Sequence, residues 1–206
     1  NFGDALRHLR RLDTTLINSA FTATEGGLRI LAYTESDEPL EMTSAAELYM
    51  LLSALRQHFQ HIVVNLTGQR DSEALRTFVS HCDKLLWCTD QNVLDCRRNL
   101  AVLNQWREKG MKLDHAKLLV DRYLKGAAPD TDALEKSFGL EAIAVLPFSP
   151  EVRLNAKNQG QTLFSLAPRE TLTQNLKTLG ERLAKRSEGL EKPSTRWFDR
   201  LLGTPK

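Results

Sequence analysis

Apolar residues fall along this chain in two alternating rhythms. Five short runs of Val, Ile and Leu show little polar alternation: Leu28–Tyr33 (LRILAY), His61–Leu66 (HIVVNL), Lys84–Thr89 (KLLWCT), Lys117–Tyr123 (KLLVDRY) and Ala142–Pro147 (AIAVLP). Runs of that kind predict strands buried on both faces, as in a parallel sheet. Helical spacings lie between them. Ser44 opens Ser-Ala-Ala-Glu, a capping-box pattern, ahead of Leu48, Leu51, Leu52, Leu55 and Phe59. Asp71–Cys82 predicts a shorter helix. Asp90 is the predicted cap of a helix whose apolar side is Val93, Cys96, Leu100 and Leu103 and which ends at Gly110. Pro129-Asp130 opens another that closes at Phe138-Gly139, and Pro168 opens a long one with Leu172, Leu176, Leu179 and Leu183 at spacings of 4, 3 and 4. Strand and helix in alternation predict an α/β fold with a doubly wound, mainly parallel sheet and right-handed crossovers.

Composition narrows the class without naming a chemistry. With 206 residues, 41% apolar and 26% charged, the chain fits one ordinary globular domain. No apolar run approaches the ~18 residues of a spanning helix. The chain begins at Asn1 with no signal or transit pattern and reads as part of something longer. Cys82, Cys88 and Cys96 are odd in number and lack metal-ligand spacing, as expected of reduced structural thiols. The five histidines show no metal spacing either, and Ser149 lacks the Gly-x-Ser-x-Gly context of a hydrolase nucleophile. No catalytic residue and no metal ligand is assigned.

The net charge of +2 is too small to argue for nucleic acid, but it is unevenly spread. From Arg169 onward nine basic residues face five acidic ones; the remainder carries 19 against 21. Arg97, Arg98, Arg107 and Lys109 read first as a solvated helix face, and second as a partner or DNA surface. The expected organisation is a main domain over 1–186, a linker over 187–194 (SEGLEKPS lies here) and a tail over 195–206. In that tail Trp197, Phe198, Leu201 and Leu202 share one helical face, flanked by Arg196 and Arg200. Such a segment suits an anionic membrane, a groove on a partner, or its own domain, and the sequence leaves all three open.

Ligands of doubly wound sheets bind outside the carboxyl ends of the strands. The residues there are Asn65-Leu66-Thr67-Gly68 after HIVV, Asp121-Arg122-Tyr123 after KLLV, and Leu146-Pro147-Phe148-Ser149-Pro150 after AIAV, the last followed by EVRLNAKNQG. In this order and spacing the three stretches resemble the MinD/ParA family of deviant-Walker ATPases. There the equivalents read as an apolar run ending in Asp-x-Pro, an Asn-Arg pair, and an apolar-Pro-x-Asp segment followed by Ala-x-x-x-Gly. LPFSPEVRLNAKNQGQTL is the nearest match. Leu12-Asp13 with Gly27–Ala32, and the tail WFDRLLG, are similar to the TadZ/CpaE branch, which serves tight-adherence (Flp) pilus assembly. The likeness spans roughly residues 5–203. It implies a P-loop NTPase-like fold, ATP with Mg²⁺ as the family's cofactor, and a homodimer across the nucleotide face. It also implies partners in the pilus secretion machinery, including its motor ATPase, and a cytoplasmic place, peripheral at the inner membrane or cell pole.

The departures from that pattern decide the expected chemistry. The family cradles phosphates on a Gly-rich loop with lysine, and holds Mg²⁺ with a Ser/Thr of that loop and an acidic residue after a strand. No G-x-x-x-x-G-K-[ST] or KGG-type loop occurs in these residues; in the family it precedes the matched region. Asn65 stands in place of the Walker-B Asp, Thr67 in place of Pro, and Asp121 in place of the Asn that meets adenine, while Arg122 matches. With Pro147, Phe148 and Ser149 these residues form a nucleotide-binding set expected to be vestigial or weak. The bland reading is that Asn65, Asp121 and Ser149 only terminate strands. The expectation is a pseudo-ATPase scaffold for Flp/Tad pilus assembly and polar localisation; the alternative is an active positioning ATPase cycling on membrane or DNA.

Overall fold

The run KLLVDRY forms the middle of a three-stranded parallel sheet, as its continuous apolar character requires. The computed structural model describes residues 2–8, 14–24, 26–34, 37 and 40–185. Leu12-Asp13, the linker and the whole tail, with Arg196, Trp197, Phe198, Arg200, Leu201 and Leu202, lie outside the described residues. The chain divides into two compact units between Asp83 and Lys84.

In the first unit two short helices, α1 (Phe2–Arg7) and α2 (Thr14–Ala20), precede a small hairpin of β1 (Thr22–Ala23) and β2 (Arg29–Ile30). The expected parallel strand over Leu28–Tyr33 is not found: β2 pairs antiparallel with β1. The cause is local. Gly27, at φ 81°, donates its N–H to Thr24 O, and Thr24 N–H bonds Leu28 O, closing a tight turn. Helix α3 (Ala45–His58) begins with the expected capping box between Ser44 and Glu47. Its Leu51 and Leu55 pack with Ala5, Ile17 and Phe21, while Leu48 packs with Leu40, Ala74 and Phe78. Helix α4 (Glu73–His81) is capped by Ser72 and lies inside the helix expected over Asp71–Cys82. His61–Leu66 takes no regular secondary structure and forms no ladder, and Val63 is 94% exposed. A strand pattern meant for burial on both faces needs paired neighbours, and none pairs with it among the described residues.

In the second unit the order is β3 (Leu85–Thr89), α5 (Val93–Glu108), β4 (Ala116–Tyr123), α6 (Thr131–Phe138), β5 (Ala142–Pro147), α7 (Pro150–Gln159), α8 (Leu163–Leu166) and α9 (Thr171–Lys185). The sheet runs β3-β4-β5, both pairings parallel. Leu118 and Val120 are fully buried; Leu119, alternating to the other face, joins Leu146, Leu172 and Leu179 of the α9 side. The four leucines of α9 thus pack as their spacing predicts. Trp87 and Trp106 meet edge to face at 5.3 Å, where α5 covers β3. The cap of α5 differs from expectation. Asn92 accepts from Leu94 N–H and Asp95 N–H, and Asp90 serves one step earlier by accepting from Asn92 N–H. The buried residues of α5 are Cys96, Leu103 and Trp106, and Val93 stays outside that side.

Edge strand β3 is half used. Leu85 N–H donates to His115 O, so Leu86 and Cys88 turn their backbone groups away from β4. Beyond a long 3.5 Å contact from Asn99 to Cys88 O, no strand covers that edge among the described residues.

Candidate functional site

The carboxyl ends of β4 and β5 hold the site. Strand β4 carries a bulge: Val120 pairs with Val145, but Tyr123 pairs with Pro147, so three steps on β4 match two on β5. Arg122 sits in that bulge at φ 51°, the left-handed region a β-carbon disfavours, and its side chain is exposed. Phe148 N–H donates to Tyr123 O at 2.9 Å, which fixes Pro147 and Phe148 beside the end of β4. Half of the Phe148 surface faces solvent. Ser149 occupies the N-cap of α7, with Pro150 at the first turn, but makes no side-chain cap bond.

Asp121 is not free at this strand end. Arg153, from the first turns of α7, grips its carboxylate with both terminal nitrogens: Nη1 to Oδ2 at 3.2 Å and Nη2 to Oδ1 at 2.5 Å. Both side chains are about seven-tenths buried. The Arg153 Nε–H is buried without an acceptor. On the next strand, desolvation first and the Asp121 carboxylate second push the Cys88 thiol above its ordinary value.

The loop after β4 is held by one amide. Gln91 Oε1 accepts from Leu124 N–H at 2.7 Å, and its Nε2 donates to Ala127 O at 3.0 Å and Pro129 O at 2.8 Å. Sequence reasoning missed Arg153, Cys88 and Gln91. The available signal was the first helical turn after β5: an arginine there faces whatever ends the neighbouring strand.

Of the residues singled out from the sequence, Asp121, Arg122, Pro147, Phe148 and Ser149 gather within the second unit. Asn65 and Thr67 belong to the first. Asn65 Oδ1 accepts from Thr67 N–H at 3.0 Å, closing a turn that Gly68 completes at φ 78°. Among the described residues, no group of three or more His, Cys, Asp or Glu is placed to hold a metal ion. No described helix is long and apolar enough to cross a membrane.

These residues fit a Mg²⁺–nucleotide poorly. Asn65 brings no charge to a cation and spends its carbonyl on its own turn. Asp121 can only accept hydrogen bonds, and Arg153 already neutralises it. No hydrolytic step is derived from them.

No protein-family model matches the chain, and no curated protein sequence matches it. Solved structures do. A ParA family ATPase from Chlorobium tepidum TLS superposes with a TM-score of 0.75 at 16% identity, covering 92% of this chain and 76% of that one. MinD in the MinC:MinD cell division complex of Aquifex aeolicus gives 0.63 at 16%, covering 91% and 75%. MinD with Mg-ADP from Pyrococcus horikoshii OT3 gives 0.63 at 14%, covering 90% and 79%. Identities this low establish fold alone: a parallel sheet flanked by helices, of the MinD/ParA P-loop NTPase-like type.

Proposed function

We propose that this chain is a scaffold on the MinD/ParA fold, with a degenerate nucleotide site, closest in kind to the TadZ/CpaE proteins. Its role would be assembly and polar localisation of a Flp/Tad-type pilus apparatus. One observation carries the degenerate site: the Asp121–Arg153 ion pair fills the strand end where the resembled family presents the asparagine that meets adenine. An amide both donates and accepts; a carboxylate paired with arginine offers an incoming base no donor, and its acceptor oxygens are already engaged by the guanidinium. Asn65, uncharged and with its side-chain carbonyl accepting within its own turn, supports the same reading. Any ATP with Mg²⁺ held by the full-length protein would then be bound without turnover.

The partners proposed are a second copy of the chain and the pilus secretion machinery with its motor ATPase. That MinD is seen in complex with MinC supports partner binding on this fold in general. The tail, through Arg196, Trp197, Phe198, Arg200, Leu201 and Leu202, is the proposed contact to a partner or the inner membrane from the cytoplasmic side. Fold likeness to MinD and ParA keeps one rival, a positioning ATPase. Phosphate release by the full-length protein separates them. We expect negligible ATP turnover with and without Asn65→Ala. Sustained hydrolysis that Asn65→Ala abolishes would favour the rival.

A further inference from the structure

The exposed side of α5 mixes apolar residues with the polar ones (Arg97, Arg98, Asn104, Gln105, Arg107, Glu108) that a surface helix ordinarily shows. Val93, Leu94 and Val102 are 52%, 63% and 38% exposed, and Ala101 lies open between them. Arg97 and Arg98 sit among these residues, one turn after Val93 and Leu94 and one turn before Ala101 and Val102. Alongside lies a groove of about 430 Å³ between α5, the Ala128-Pro129 segment and the second half of α6. Val93, Leu100, Pro129, Leu134 and Phe138 make its walls apolar, and Arg97 is its one charged lining residue. Arg97 has no ion-pair partner among the described residues. Arg98 meets Asp95 only at 3.5 Å on an open surface, a weak contact.

We infer that this face of α5, with the groove beside it, docks an acidic amphipathic helix of a partner protein. The exposed Val93, Leu94 and Val102 and the mouth of the groove offer apolar contact to leucine-type side chains, and the two arginines select the sign of the flanking charges. The chain's own apolar segment around Trp197 is the wrong partner by charge, because Arg196 and Arg200 would be brought against Arg97 and Arg98. Nucleic acid is the wrong partner by chemistry, because phosphates gain nothing from Val93, Leu94, Val102 and an apolar groove. Asp121, Arg122, Pro147, Phe148 and Ser149 do not line this groove, so the inference stands or falls apart from the scaffold reading.

Fluorescence anisotropy on the intact chain tests it with two labelled peptides of ~16 residues, about four helical turns. Both carry the same leucine stripe; one has a glutamate-rich polar face and the other a lysine-rich one. A duplex DNA serves as third probe. The acidic peptide should bind about tenfold more tightly than the basic one, and less tightly as salt rises. Arg97→Glu with Arg98→Glu should invert that preference. Val93→Ser with Leu94→Ser should weaken both peptides while thermal melting stays unchanged, which separates lost docking from lost folding. Equal binding of the two peptides, no inversion in the charge-reversed variant, or tighter binding of DNA would each overturn the inference.

Discussion

Replacing Arg153 by Met keeps most of the side-chain length and removes the fork that grips Asp121. Two N–H···O contacts disappear, one at 3.2 Å and one at 2.5 Å. Exposed ion pairs are worth roughly 0.2–1 kcal/mol. Stripping one partner from a fully buried pair costs about 3–5 kcal/mol. With 29% and 31% of the side chains exposed, this bidentate pair falls between those limits. The expected destabilisation is about 1–2 kcal/mol, held toward the lower end because Met also relieves the unbonded Nε–H. Asp121→Asn and the double variant complete the cycle, and the coupling between the two sites should be about 1 kcal/mol. Urea is the suitable denaturant, since a guanidinium salt would screen the pair. Trp87 and Trp106, stacked edge to face within the same unit, report its unfolding by fluorescence once Trp197→Phe removes the third indole. A coupling within about 0.3 kcal/mol of zero would show the two side chains acting independently, and the pre-engaged Asp121 would drop out of the functional reading.

Gln91→Ala should cost about 0.5–1.5 kcal/mol, because it removes the partner of one N–H and two carbonyls of the 124–129 loop that water can partly replace, and hydrogen exchange at Leu124 should accelerate. Gly3→Ala should loosen the first unit, since a β-carbon there would meet Asp37 Oδ1 at 2.5 Å; the melting temperature should fall, and Asp37→Ser should recover part of the loss. The same carboxylate predicts acid sensitivity. Burial pushes Asp37 up, but N–H donors from Thr34 and Gly3 outweigh it and hold the group below its ordinary value, so its stabilisation is present above about pH 4 and fades as pH falls through the folded value. For Cys88 the sign is opposite: a raised thiol stabilises the fold below about pH 8.5 and loses that contribution as pH rises. Asp121→Asn should therefore speed alkylation of Cys88 at mildly alkaline pH in a Cys82→Ser background; an unchanged rate would disconnect the two groups.

How much of this was legible depended on how far each residue's partner lies along the chain. The second unit's strands and helices follow their patterns because their periodicity is answered by burial on both faces of the sheet. HIVVNL carries the same signal, yet it forms no ladder among the described residues. LRILAY departs from its pattern for a nearer reason: the Gly26-Gly27 turn directly before it folds the chain back into a hairpin, and that local turn outweighs the apolar run. Asp90 and Asn92 are both good caps, and only the helix's actual start chooses between them. The strand-end residues were found by topology, but their state was not. Arg153 lies 32 residues from Asp121, and Gln91 lies 33 to 38 from the loop it ties, so no local pattern joins them.

The open side of β3 bears on how pieces of this protein would behave. Leu86 and Cys88 hold backbone groups outward along a stretch with no charge and no proline from Leu85 to Thr89. Natural sheets blunt such borders with lysine, proline or a covering element. A fragment limited to 84–185 would present this one as a template, and its molecules would be expected to zip together through it, giving concentration-dependent self-association. A single lysine at position 86 or 88 would be the smallest change to keep that fragment monomeric, which makes this border the place to begin when the second unit is prepared alone.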